Sequence, residues 1–319
     1  MNNYLYGILV MLISAAPMAQ AAGLSGRPGA FADIGLGLRP LGMAGSYSAL
    51  ASDENAARWN PAMLAEVEDW SAGFSWAKQF NLISYNYIAL AAPQAVGNAG
   101  LGAYVIASGD EVYNETTIGL AAGMPLEGFG LPIPGNAGAG LKYLNSSFGS
   151  NSDGGADRVQ GSANGFGLDL AWHWRPLEEA SFAVVIHDLV NVLSWDRRIE
   201  GSTPSSKTYS EGVPTTMVLG LAWQLEAATF SSEYRPGLYG DVADRFIIGG
   251  EFSFWSVVKA RFGLGQNMSG SDRNRWVTLG LGIEIEPSYL GPVQSVRFGY
   301  THLVHDIAAT PRVGLTLSW

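Results

Sequence analysis

The chain has 319 residues, no cysteine, 41 glycines, 14% charged residues and a formal net charge of −10. Without cysteine there is no disulfide framework and no thiolate chemistry, and the acidic balance argues against nucleic acid, whose phosphates need a positive footprint. Low charge beside abundant glycine and aromatic residues does not suit a soluble enzyme of this length, the apolar content argues against disorder, and length alone admits one or two domains.

The first element is an export signal over 1–21. Residues 8–16 form its apolar core, and Ala19-Gln20-Ala21 fits a small-residue cleavage site. Residues 1–7 contain no Lys or Arg, so only the terminal amine is positive. The alternative is an N-terminal membrane helix, but the apolar run is short and Pro17 interrupts it. A mature chain lacking a run of about eighteen apolar residues can span a membrane only with strands.

The next stretch, 38–64, reads LRPLGMAGSYSALASDENAARWNPAML. Its first half is small and apolar through Gly42, Ala44, Gly45, Ser46, Ala49 and Ala51, so its backbone can press closely against something else. Asp53 reads as a helix N-cap before a short helical run over 54–59. Asn60 and Pro61 repeat the device, with proline at the first helical position where its missing N–H costs nothing. Two capped short helices before any strand suggest a compact plug; the alternative is a surface loop with two helical turns.

On Gly35, Leu38-Arg39, Leu41-Gly42-Met43, Tyr47, Ala49-Leu50-Ala51, Asp53 and Trp59-Asn60-Pro61-Ala62, this segment resembles the N-terminal signature of PorV/PorQ-type outer-membrane proteins. These are short relatives of the long-chain fatty-acid transporter (FadL-like) barrels. The resemblance implies a hatch, 22–68, inside a barrel of about fourteen strands over 69–319, with Asp53, Trp59, Asn60, Pro61 and Ala62 on the hatch and ligand path.

From Trp70 onward the hydrophobic period is two. Phe166, Leu168, Leu170, Trp172 and Trp174 alternate with Gly165, Gly167, Asp169, Ala171 and His173. Thr215, Met217, Leu219, Leu221 and Trp223 repeat the pattern, and so do Val277, Leu279, Leu281, Ile283 and Ile285. Such alternation gives one apolar and one small or polar face. About fourteen segments read this way: 69–79, 82–92, 99–108, 115–124, 136–146, 163–174, 180–190, 213–224, 227–235, 245–255, 257–266, 274–285, 293–303 and 309–319. Most have the length that a tilted strand needs to cross a bilayer.

A soluble sandwich could also alternate, but three observations favour the closed antiparallel transmembrane β-barrel. The long joins, 147–161 and 191–212, fall on one end, while most joins on the other are tight, as external loops and periplasmic turns do. That parity sets Trp70, Trp172, Trp174, Trp223 and Trp319 on the periplasmic rim, where an aromatic girdle belongs. Finally, Val313, Leu315, Leu317 and Trp319 resemble the C-terminal signal read by the outer-membrane assembly machinery. Closing the sheet removes the edge, since unpaired backbone groups in hydrocarbon cost several kcal/mol each.

The polar strand positions then turn inward. Glu251, Lys259, Arg261, Glu284 and Arg297 form a lumen charge ladder of alternating sign, read here as bracing wall against hatch in preference to a substrate-selecting ring. Gly97, Gly100 and Gly102 cluster at the third strand, where they either bend it into a lateral opening or let it pack tightly on the hatch.

Enzyme signatures do not assemble. Ser75 and Lys78 match S-x-x-K but lie on opposite faces of a strand. His302 and His305 have no completing ligands, and His173 and His187 are isolated inward positions. Asp153 and Asp157 sit in a Gly/Ser/Asn-rich loop, read as flexible in preference to calcium-binding. Gly35-Leu36-Gly37 lacks the strand–glycine–helix context of a dinucleotide site. The expectation is a bacterial outer-membrane barrel without cofactor or metal, in contact with membrane lipid. As the resemblance implies, it passes hydrophobic or amphipathic small molecules; the alternatives are a type IX secretion-like shuttle for exported proteins and a non-conducting structural barrel.

Overall fold

The computed structural model describes residues 36–79, 82–129, 133–149, 158–200, 204–239, 242–269, 274–286, 291–304 and 309–319. The expected leader 1–21, Gly35, Asp153, Asp157 and His305 lie outside the described residues.

Fifteen strands form one antiparallel sheet. They are β1 (Ser71–Gln79), β2 (Ile83–Val96), β3 (Ala99–Gly109), β4 (Tyr113–Pro125), β5 (Asn136–Phe148), β6 (Val159–Trp174), β7 (Ala180–Ile199) and β8 (Ser205–Glu211). The remainder are β9 (Thr216–Gln224), β10 (Ala228–Arg235), β11 (Arg245–Phe254), β12 (Val258–Asn267), β13 (Arg275–Ile285), β14 (Ser295–Val304) and β15 (Thr310–Ser318). β1 pairs with β15 and β6 with β7, so the sheet closes. Since β8 pairs only with the distal part of β7, fourteen of the fifteen strands make the wall.

The closed wall follows from the period of two. On β6, Gly165, Gly167, Asp169, Ala171 and His173 are buried, while Phe166 and Leu170 are exposed. The same division along β13 leaves Val277, Leu279, Leu281, Ile283 and Ile285 outside. An outer face of this kind is stable only against lipid, because water would leave it unburied. At the rim where the chain ends, Trp70 stacks on Trp319 at 6.5 Å and Trp172 on Trp174 at 6.3 Å.

Two expectations about the elements need correction. The joins 147–161 and 191–212 are not simple loops: β6 begins at Val159, β7 continues to Ile199, and β8 returns beside it. These parts expose polar residues such as Ser194, Arg197 and Arg198, so they lack the apolar alternation that marks the rest of the wall. The helix expected over 54–59 forms only as α2, Ala56–Trp59, because the Asp53 carboxylate binds the Asn55 N–H at 3.0 Å and holds the turn before it.

Residues 36–67 lie inside the barrel. They contain α1 (Leu38–Gly42), α2 and a 3₁₀ turn, Pro61–Glu66, whose Asn60 side chain accepts the Ala62 N–H at 3.0 Å. The main apolar core is formed here, with Met43, Tyr47, Leu50, Met63 and Leu64 fully buried against wall residues such as Tyr87 and Tyr104. The wall makes room with glycine: a Cβ on Gly100 would stand 1.9 Å from the Leu64 carbonyl oxygen, and one on Gly138 2.2 Å from the Ala62 nitrogen.

Candidate functional site: the inner seam and a break in the wall

The inner segment is fastened to the wall by polar groups that alternation turns inward. Glu233 on β10 accepts the Tyr47 and Ser48 N–H groups at 2.7 and 2.6 Å and pairs with Arg235 at 2.6 Å. Thr278 accepts the Ala44 N–H at 2.9 Å and donates to the Gly42 carbonyl. Ser181 and Ser231 donate to the carbonyls of Ala49 and Ser46, each at 2.7 Å. These contacts satisfy backbone groups that the irregular segment cannot satisfy itself, as burial at membrane depth demands.

The five ladder charges meet two partners from the inner segment. Glu251 binds Arg261 at 2.5 Å across β11 and β12, and Arg39 of α1 at 3.0 Å. Glu284 lies 3.9 Å from both Lys259 and Arg297, and Arg297 reaches Glu54 at 3.5 Å. Arg39 also donates to Tyr47, whose hydroxyl binds Asp53. Trp59 packs edge-on against Tyr47 and donates to the Leu36 carbonyl at 3.0 Å; Asn60 donates to the Ser48 carbonyl at 2.7 Å. Pro61 and Ala62 press on Gly123 and Gly138. The seam between inner segment and wall, lined by Arg39, Glu54, Lys259, Glu284 and Arg297, holds only about 40 Å³. That admits a water, whereas benzene needs about 150 Å³.

Gly100 and Gly102 face Leu64 and Ala57 of the inner segment. Gly97 lies in the two-residue turn joining β2 to β3, with φ +59° and open space around it. β3 pairs with β4 without interruption from Gly100 to Gly109. Leu317 and Leu315 lie on β15, paired to both β1 and β14, and Val313 is exposed on its outer face. Ser75 and Lys78 point to opposite faces of β1, and His302 stacks on Tyr300. Outside the wall, Asp110 accepts the Val112 and Tyr113 N–H groups at 2.8 Å each, which holds its carboxyl below the usual range.

The wall itself is interrupted at β7. Its pairing with β9 ends at His187–Thr216, and its pairing with β8 begins at Leu193–Glu211. Residues 188–192 therefore face 212–215 without a ladder rung. On the other side, β7 shifts register against β6 between Leu168 and Leu170, and Asp188 has φ +55°. This is a bulge, which bends a strand and ends pairing. Side chains bridge the interruption. Asn191 accepts the Val213 N–H at 2.6 Å and donates to the Val213 carbonyl at 2.9 Å, while Thr215 donates to the Asp188 carbonyl at 2.9 Å. Leu189, Val190 and Val192 are exposed beside it. A surface cleft of about 460 Å³ opens there, bounded by Asn191, Glu211, Gly212, Val213, Pro214, Thr215 and Tyr239.

Lys142, Asp169, His187, Asp188 and Asn191 escaped sequence reasoning as a group. The one local signal is the adjacent polar pair His187-Asp188, which interrupts alternation between Ile186 and Val190.

The sequence matches no protein-family model and no curated protein. The fold is similar to solved outer-membrane channels. The Pseudomonas putida toluene transporter TodX aligns with TM-score 0.57 and 11% identity over 91% of this chain and 99% of its own. The Ralstonia pickettii toluene transporter TbuX aligns with TM-score 0.57 and 12% identity, over 89% and 97%. A Pseudomonas aeruginosa FadL homologue gives 0.53 and 10%, over 88% and 96%. The chain thus shares the closed-barrel fold of these proteins.

Proposed function

We propose that the protein is a passive uptake barrel for hydrophobic or amphipathic small molecules. In this reading residues 22–68 are a hatch that blocks the straight path, and the molecule leaves the lumen sideways through the break in β7. The observation that carries it is the contrast between the two routes. The seam around the hatch holds about 40 Å³, while the break opens on a surface cleft of about 460 Å³ that includes Glu211 and is flanked by exposed Leu189, Val190 and Val192. An apolar solute is favoured by leaving water for lipid, whereas passage along the seam would have to part the Arg297 pairs with Glu54 and Glu284. The substrate class of TodX and TbuX, toluene, supports this class here. Gly100 and Gly102 seat the hatch in this reading, and Val313, Leu315, Leu317 and Trp319 serve assembly into the membrane. The test is uptake of an amphipathic probe by liposomes carrying the purified protein. Uptake above empty liposomes, altered by deletion of residues 38–64, supports the proposal; uptake equal to empty liposomes overturns it.

A second reading, a PorV-type holder of exported proteins, is favoured by the surface sheet of β6, β7 and β8. It rises beyond the wall and carries Arg197, Arg198, Lys207, Glu211 and the Arg158–Glu200 pair. Recovery of a stoichiometric secreted protein from native membranes would select it over the first.

A further inference from the structure

The break in β7 is joined to a buried ion cluster on the lumen side. Lys142 of β5 lies 2.7 Å from Asp188 and 2.9 Å from Asp169 of β6, and all three side chains are almost fully buried. Asp169 also accepts the Asp188 N–H at 2.8 Å and stands 3.2 Å from His187. Gly167 leaves the space: a Cβ there would stand 2.5 Å from the Asp188 carboxylate. Arg58 of α2 and Tyr104 of β3, two strands from β5, face the same cluster from the inner segment and the neighbouring wall.

Asp188 is thus held at one carboxylate oxygen, at its N–H and at its carbonyl, while its buried Oδ1 has no hydrogen-bond partner. Its carboxylate is on Lys142 and its N–H on Asp169, both in the lumen. Its carbonyl accepts from Asn191 at 2.7 Å and from Thr215 at 2.9 Å, both in the break. The residue also adopts a left-handed conformation, which Asp tolerates better than most but which still costs energy unless its surroundings hold it.

We propose that Lys142 and Asp169 latch the wall break shut through Asp188, and so act as positioning residues for the side passage. The proposal rests on the side-passage reading. The mechanism is charge pairing: one ammonium lies between two buried carboxylates and offsets one of their two negative charges. Removing it leaves two carboxylates buried side by side, a state relieved by protonating one of them or by swinging one of them out. Asp188 is the one on the bulge, and its departure carries away the carbonyl that Asn191 and Thr215 hold.

The experiment uses the full chain in liposomes and two separate readouts. The first is amide hydrogen exchange at Val213 and residues 189–192, which reports opening whether or not anything is transported. Lys142→Met is expected to raise exchange there by about tenfold or more while the rest of the wall stays protected, as local opening does. Lys142→Arg, which keeps the charge, is expected to restore protection in large part. The second is probe uptake, expected to rise severalfold in Lys142→Met. If Lys142→Met does not yield a folded barrel, Asp188→Asn removes the charge that Lys142 holds and carries the same exchange readout. Unchanged exchange in the folded variant overturns the latch, even where wild-type uptake is intact. Wild-type uptake equal to empty liposomes overturns the transport reading, while exchange still decides the latch.

Discussion

The side-chain amide of Asn191 takes the place of a strand rung opposite Val213, accepting its N–H at 2.6 Å and donating to its carbonyl at 2.9 Å. A backbone rung is tied to the whole ladder, but a side chain can swing away by a rotamer change. The interruption in β7 is therefore closed by the least constrained kind of hydrogen bond in the wall.

Replacing that amide tests its role. Asn191→Ala leaves the Val213 N–H and carbonyl without these partners, at a cost of about 1–3 kcal/mol for a buried group. Probe uptake into liposomes is expected to increase and the unfolding midpoint in urea to fall. An unchanged uptake rate would remove Asn191 from the passage.

The seating of the inner segment on β3 makes a steric prediction. Gly100→Ala would set a Cβ 1.9 Å from the Leu64 carbonyl oxygen. Backbone cannot yield as a flexible side chain does, so the cost is about 1–3 kcal/mol, with the inner segment displaced from β3. Faster protease cleavage within residues 38–64 is the expected readout.

Charge predictions separate by burial. Glu233 is fully buried and holds two N–H groups of the inner segment as well as Arg235. Glu233→Ala strands all three and is expected to cost about 3–5 kcal/mol. Arg158–Glu200, at 2.8 Å, is largely exposed, and breaking it is expected to change stability by at most about 1 kcal/mol. Urea titration of both variants checks the contrast.

The turn between β11 and β12 carries Trp255 and Ser256 at φ +51° and +60°. Two residues in this conformation make the hairpin turn that Asn-Gly favours. Ser256→Gly is expected to stabilise the barrel by about 1 kcal/mol, measured as a higher urea midpoint.

Much of the wall was legible because lipid makes a strict demand: every second residue from Phe166 to Trp174 must be apolar, and β6 obeys it. The terminal pair Trp70 and Trp319 could be assigned to one rim by counting strands. Parity also turned Glu251, Lys259, Arg261, Glu284 and Arg297 inward. Their partners Arg39 and Glu54 were not legible, because Arg39 meets Glu251 only after some two hundred intervening residues have closed the barrel. β8 was missed for a different reason. Ser205–Glu211 follows no apolar alternation, so its pairing with β7 is written only in geometry. The bulge at Asp188 broke the period over too few residues to be distinguished from the end of a strand.

The most direct test of the side passage is a cysteine pair across the break, Val192→Cys with Gly212→Cys. These positions lie one residue below the last β7–β8 rung, and a Cβ at Gly212 meets only Asn191. Probe uptake by liposomes is measured with the pair oxidised and again after reduction. The account expects uptake to fall to the level of empty liposomes when the disulfide forms and to return when it is reduced. Uptake equally fast in the oxidised and reduced states would contradict it.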